Sequence, residues 1–201
     1  MKNIHHHKDK KFVNNVVNDV YKNYDLMNDI MSFGTHRLWK EEFINSLDLN
    51  LKYKIVDMAS GTGDISRCIL KKNKNHKIYR IEPNFNMLNH NLFKFKNYSN
   101  VQHICSHGEN IPLEDQIIDA YLISFGLRNV SKIDTVLSEA FRVLKKGGGF
   151  FCLEFYKFDR PVLGKLYKLY SKTIPFFGKI FNQNSNPYEY LVQSIEDFHS
   201  Q

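Results

Sequence analysis

Cysteine is scarce: three residues, Cys68, Cys105 and Cys152, with no Cys-x-x-Cys pair and no Cys/His ligand spacing. A disulfide framework and a zinc site are therefore not expected, and a reducing compartment fits the thiols. Five prolines and ten glycines in 201 residues are too few for a collagen-like or low-complexity chain. No run approaches the roughly eighteen apolar residues that a membrane-spanning helix needs, and the mean hydropathy of −0.44 agrees. Acidic residues are outnumbered, 21 against 28 Lys and Arg, leaving a net charge of +7. That balance biases the surface toward anions such as nucleic acid, acidic lipid headgroups or an acidic protein. Nucleic acid is disfavoured, because no target-recognition motif or aromatic-basic block accompanies the charge. The opening MKNIHHHKDKK has neither the apolar core of a secretory signal nor an Arg- and Ser-rich amphipathic pattern, and His5 to His7 receive no function.

At about 150 residues per domain this length makes one domain, large enough to bury roughly 70% of its unfolded surface. Short β-rich runs alternate with helical patterns, which predicts an α/β fold with a mainly parallel sheet flanked by helices. The runs at Lys54 to Met58, Lys77 to Ile81, Val101 to Cys105, Ile118 to Ser124 and Phe150 to Phe155 read as five strands. The clearest helix carries Ile133, Val136, Leu137, Ala140, Phe141 and Leu144 on one face, with Ser131 and Asp134 as a capping-box start and Gly147 past its end. Others are expected from Asp64 to about Lys72 and from Asn84, the latter with Phe85, Leu88, Leu92 and Phe93 on one face. The expected layout is a basic tail at 1–12, a helical cap at 13–50, a ligand-binding core at 51–157 and a helical segment at 158–201.

The most informative stretch is KIVDMASGTGDISRCIL, a strand carrying Asp57 near its end, a small-residue turn from Ala59 to Gly63, and a helix opening at Asp64. Glycines let a backbone approach a ligand, and ligands sit at the carboxyl ends of strands in open α/β sheets. The dinucleotide fingerprint would need Gly or Ala where Ser66 stands, so a nicotinamide cofactor is disfavoured. Glu82 ends the second strand 19 residues after Gly63, near the spacing at which a carboxylate meets ribose hydroxyls. The bland readings are a tight turn and an exposed strand-end acid.

The pattern D-x-A-x-G-T-G-D resembles the first motif of class I S-adenosylmethionine-dependent methyltransferases. The blocks YDLMNDIMSFGTHRLWK (Tyr24 to Lys40), ENIPLEDQIIDAYLISFGLRNV (Glu109 to Val130) and EAFRVLKKGGGFFCLEF (Glu139 to Phe155), with the tail YEYLVQSIEDFHSQ, are similar to the signature blocks of the ubiquinone/menaquinone biosynthesis C-methyltransferase family. The resemblance runs from about Val13 to Gln201 and implies a Rossmann-like class I methyltransferase fold. The cofactor it implies is S-adenosyl-L-methionine, and the reaction is C-methylation of a polyprenyl methoxy-benzoquinol in ubiquinone synthesis. Demethylmenaquinol methylation is the enzymatic alternative, and a weakly active member that scaffolds a quinone-biosynthesis complex is the rival from another class.

Carried over by position, the resemblance puts cofactor contacts on Gly61, Thr62, Gly63, Glu82, His107, Gly108 and Ser124. Asp usually stands at Glu82, and an Asn/Asp-Ala pair where His107 and Gly108 stand. Arg128 is the implied catalytic residue, stabilising a developing phenolate or orienting water, since arginine is a poor base. Tyr24 and His36 are candidates for substrate binding. The implied partners are a lipophilic quinol, a membrane surface touched peripherally, and other quinone-biosynthesis proteins or a second copy. The implied location is the matrix side of the mitochondrial inner membrane. The Lys-rich apolar stretch from Pro161 to Phe181 suits a membrane surface, a partner or ordinary packing. The family sheet normally continues with two further strands, so an incomplete C-terminal strand pair is expected here.

Overall fold

The computed structural model describes residues 13–16, 18, 28, 29, 32, 34–48, 53–155, 190, 192–195 and 198. Its elements run α1 (His36–Asn45), β1 (Lys54–Met58), α2 (Asp64–Lys72), β2 (Lys77–Ile81), α3 (Phe85–His90), a 3-10 turn (Leu92–Phe95), β3 (Val101–Ile104), β4 (Ile118–Ser124), a second 3-10 turn (Leu127–Asn129), α4 (Ile133–Val143) and β5 (Leu144–Leu153). The strands form one sheet in the order β3-β2-β1-β4-β5, and every pairing is parallel.

A parallel sheet is covered on both faces, so its strands read as nearly continuous apolar runs. The period of two then divides each strand between two cores. Ile55, Ile78, Ala120 and Leu122 pack with Ile44 of α1 and Ile65, Ile69 and Leu70 of α2. Val56, Met58, Tyr79, Tyr121 and Ile123 pack on the other face with Ala140 and Val143 of α4. Strand order reverses between β2 and β4 on either side of β1, and this switch point is where a ligand crevice opens.

Several local expectations are corrected. The chain breaks at Asn91 into a 3-10 turn, which changes the helical phase. Met87, Leu88 and Phe95 are therefore buried, while Phe85 and Phe93 are exposed. In α4 the buried residues are Val136, Ala140 and Val143, and Phe141 is 83% exposed. Lys132, not Ser131, is its N-cap, without a side-chain bond. The chain passes from Val143 directly into β5, so Gly147 takes its left-handed φ of 80° in the irregular stretch of β5 and not at a helix end. The fifth strand accordingly starts at Leu144, before Phe150, and the third stops at Ile104, one residue short of Cys105. Among the described residues β5 is the outer strand on its side of the sheet.

Candidate functional site

Two non-glycine residues at the ends of neighbouring central strands hold left-handed backbone: Ala59 after β1, at φ 52°, and Phe125 after β4, at φ 56°. This conformation costs about 1–2 kcal/mol for an L-residue, and such strain collects at functional sites. Gly126 lets the two strand ends meet, because a Cβ there would lie 2.5 Å from that of Ala59. The crevice above them is a cavity of about 120 Å³ whose lining includes Met58, Glu82, Met87, Gly108, Phe125 and Tyr190. A smaller, more polar recess adjoins it, sharing Ala59, Gly61 and Phe125.

Glu82 is the organising acid. Its Oε2 accepts from Gly61 N at 2.9 Å and its Oε1 from Asn84 N at 2.9 Å. A carboxylate oxygen has two acceptor positions, so each retains one for a ligand hydroxyl. Burial pushes the carboxyl up to about 7, against the opposing pull of those two N–H groups and Arg80. Asn84 caps α3 by accepting from Met87 N at 2.8 Å, while its Nδ2 donates to Asn18 Oδ1 at 2.9 Å. The turn that carries Glu82 is thereby tied to the N-terminal residues.

This placement predicts pH-dependent binding of any ligand that Glu82 holds. A ligand hydroxyl would donate to the ionised carboxyl, so protonation opposes binding and affinity should climb as pH rises through 7. With a pKa near 7 the ionised fraction grows from about a tenth at pH 6 to about nine tenths at pH 8. Affinity for such a ligand should gain up to roughly tenfold over that interval. Glu82→Gln should flatten the profile and weaken binding by about 1.5–3 kcal/mol, the range for hydrogen bonds to a charged group. Calorimetry at three pH values checks both, and a flat wild-type profile would remove Glu82 from the binding step.

Arg80, read in the sequence only as part of a strand, emerges as the counterpart of Glu82. It is fully buried in β2. Its Nη2 donates to Gly61 O at 2.9 Å, and its guanidinium lies 4.3 Å from the Phe95 ring centroid. Gly61 is thus held by its N–H to Glu82 and by its carbonyl to Arg80. A basic residue in a strand gives no sign of this from spacing, because the partner is a backbone oxygen 19 residues away.

The predicted residues separate into groups. Gly61, Glu82, His107 and Gly108 line the crevice, while Thr62 and Ser124 line the recess together with Gly61. Gly63 lines neither; a Cβ there would lie 2.7 Å from Phe95 and 2.8 Å from Arg80, so its role is close packing beneath the loop. At Gly108 the extra methyl of alanine would meet both Val136 methyls at 3.3 Å, so this chain fills that space from α4. His36 is buried at the start of α1, with Nδ1 3.0 Å from Ser32 Oγ, and lines neither space. Tyr24 and the stretch 161–181 lie outside the described residues.

Arg128 is buried beside the crevice, not in its lining. It pairs with Glu154, donates from Nη1 to Phe125 O at 2.9 Å, and donates from Nε to Ser194 Oγ at 3.2 Å. The next residue, Asn129, does line the crevice and accepts from the Tyr190 hydroxyl at 2.9 Å. Neither Asn129 nor Tyr190 was singled out in the sequence, since their contact spans 61 positions.

The site chemistry fits S-adenosylmethionine: spare acceptors on Glu82 for a ribose, and buried Ser60 and Ser124 hydroxyls with no hydrogen-bond partner among the described residues. The model of the ubiE/COQ5 methyltransferase family matches residues 4–201. The chain belongs to the ubiE/COQ5 methyltransferase family. It is 43% identical to the ubiquinone/menaquinone biosynthesis C-methyltransferase UbiE of Rickettsia prowazekii, over 100% of this chain and 84% of that protein. With the UbiE of Agrobacterium fabrum it shares 41% identity over 96% of this chain and 78% of the other. A SAM-dependent methyltransferase from Aquifex aeolicus shares the fold, with a TM-score of 0.55 at 23% identity over 70% of this chain and 74% of the other. As a ubiE/COQ5 methyltransferase the chain uses S-adenosyl-L-methionine as its methyl donor, as its sequence blocks imply. Among the described residues no helix is long and apolar enough to cross a membrane.

Proposed function

We propose that this chain transfers the methyl group of S-adenosyl-L-methionine to a ring carbon of a polyprenyl methoxy-benzoquinol, the C-methylation of ubiquinone biosynthesis. The supporting observation is one crevice in which Glu82, with acceptors to spare, faces an apolar wall that includes Met58, Met87, Phe125 and Val130. The bound cofactor supplies an electrophilic methyl on a sulfonium. Glu82 takes the ribose hydroxyls, and the Gly61 loop, braced by Arg80, sets the backbone at the cofactor. The apolar wall packs the quinol ring and excludes water, so positioning contributes much of the rate. Asn129 Oδ1 is engaged by Tyr190, which leaves its amide donors for a quinol oxygen. Arg128 keeps its charge and is committed to Glu154. We therefore assign it to holding Asn129 and Phe125 at the crevice, a positioning role and not that of a proton acceptor.

The deciding experiment is methyl transfer to short-tailed demethyl benzoquinol and demethylnaphthoquinol in competition. Preference for the benzoquinol supports the ubiquinone branch; preference for the naphthoquinol supports the menaquinone alternative; no transfer to either, with cofactor bound, supports a scaffold. The substrate's isoprenoid tail resides in a membrane, so the proposal includes reversible contact of the net-positive chain, with its Lys-rich sequence at 161–181, with anionic lipid. Cosedimentation with anionic but not neutral vesicles tests it. Association with other quinone-biosynthesis proteins or a second copy belongs to the same proposal and is read by sedimentation velocity. The mitochondrial inner membrane expected from the resemblance gains no support from the relatives named above, which are bacterial.

A further inference from the structure

The recess at the start of α2 holds polar groups that packing does not explain. Ser60 is only 8% exposed, and its Oγ has no hydrogen-bond partner among the described residues. Ser124 Oγ, from the end of β4, lines the same recess and also has none. A buried hydroxyl without a partner is costly, and two in one recess point to a polar ligand.

A cation reaches the recess from another element. Lys40, on α1, has a side chain 11% exposed, and its Nζ donates to Asp64 Oδ2 at 3.1 Å. An ammonium has three donors, so this bond leaves capacity for an anion. Arg67 lies 3.6 Å from the other Asp64 oxygen, so Asp64 does not depend on Lys40 alone. The N-terminus of α2 adds the positive end of a helix, whose N-cap Gly63 has no side chain and whose Ser66 N already donates to Asp57 Oδ2 at 3.2 Å. Asp57, which accepts from Ser66 Oγ at 2.5 Å, brings a carboxyl to the same lining. Cation, helix start and hydroxyls on one hand, and carboxyls on the other, complement a zwitterion. The recess continues from the crevice through Ala59, Gly61 and Phe125, so one molecule with a nucleoside and an amino-acid end can occupy both.

We propose that Lys40 binds the α-carboxylate of the cofactor's amino-acid tail, so that helix α1 of the N-terminal cap completes the cofactor site. The assignment rests on the cofactor reading above. It is tested by calorimetry of the full chain with S-adenosylhomocysteine, which carries the tail, and 5′-methylthioadenosine, which lacks the amino and carboxyl groups. Lys40→Met should weaken S-adenosylhomocysteine roughly 10- to 100-fold, the effect of losing a hydrogen bond to a charged group. Methylthioadenosine affinity should stay within about twofold, which also reports that the variant is folded. Lys40→Arg should keep most of the S-adenosylhomocysteine affinity. Equal weakening of both ligands, or unchanged S-adenosylhomocysteine binding, overturns the assignment. Wild-type protein that binds both ligands equally leaves the cofactor reading standing and overturns the role of Lys40. Wild-type protein that binds neither overturns the cofactor reading itself.

Discussion

Glu154→Ala should lower the folding free energy by about 3–5 kcal/mol, the cost of leaving one member of a buried ion pair without the other. Its side chain is 0% exposed and that of Arg128 1%. The carboxylate also accepts from Arg128 N at 3.1 Å and Phe155 N at 2.9 Å, so its loss strands two backbone donors beside a buried cation. Against a total stability of about 5–15 kcal/mol for a domain this is a large fraction. Urea denaturation gives the number. Arg128→Met combined with Glu154→Leu removes both charges and should recover the share of the loss that comes from the unpaired cation, leaving the share of the two stranded backbone donors. The double variant should bind cofactor but turn over slowly, since Asn129 and Phe125 lose their anchor. A Glu154→Ala loss below about 1 kcal/mol, the scale of an exposed bridge, would show that the pair does not hold this wall.

The parts of the fold that could be read from sequence are those whose cause is local. β1, β2 and β4 occupy the predicted spans, because a strand buried on both faces is an apolar run between polar breaks. The loop from Ala59 to Gly63 announces itself through small residues between such a run and a helix start. The helical faces at 85–95 and 133–144 were misjudged because periodicity presumes an unbroken helix, and nothing in the side chains marks the switch at Asn91 or the direct passage into β5. Arg80 and Lys40 could not be recognised, since a cation in a strand and one on a cap helix look like ordinary solvated charge until the sheet brings Gly61 and Asp64 to them. Arg128 was reachable only through resemblance, and its bonds to Glu154 and Phe125 O, beside the crevice and not in its lining, join residues far apart in the chain or a backbone oxygen that no spacing marks.

Gly63→Ala tests the packing under the loop from Ala59 to Gly63, where steric and conformational terms act together. Gly63 holds φ 86°, a left-handed conformation that costs an L-residue about 1–2 kcal/mol. The added methyl would meet Phe95 Cζ at 2.7 Å and Arg80 Cζ at 2.8 Å. Both neighbours are core residues, 2% and 0% exposed, so neither can swing into solvent. Overpacking of this kind costs about 1–3 kcal/mol, and the two terms together give a loss of about 2–5 kcal/mol. Function should fall with stability, because a displaced Arg80 releases Gly61 O, and the loop then loses the contact opposite Glu82. Cofactor affinity should drop about tenfold, equivalent to about 1.4 kcal/mol. Phe95→Leu in the same chain makes room for the methyl without changing φ at residue 63. The pair should show a favourable coupling of about 1 kcal/mol in a double-mutant cycle, restoring the steric share and leaving the conformational one. Additive losses in that cycle would mean that Phe95 does not resist the methyl, and affinity retained in the single variant would mean that the Arg80 contact does not set the loop.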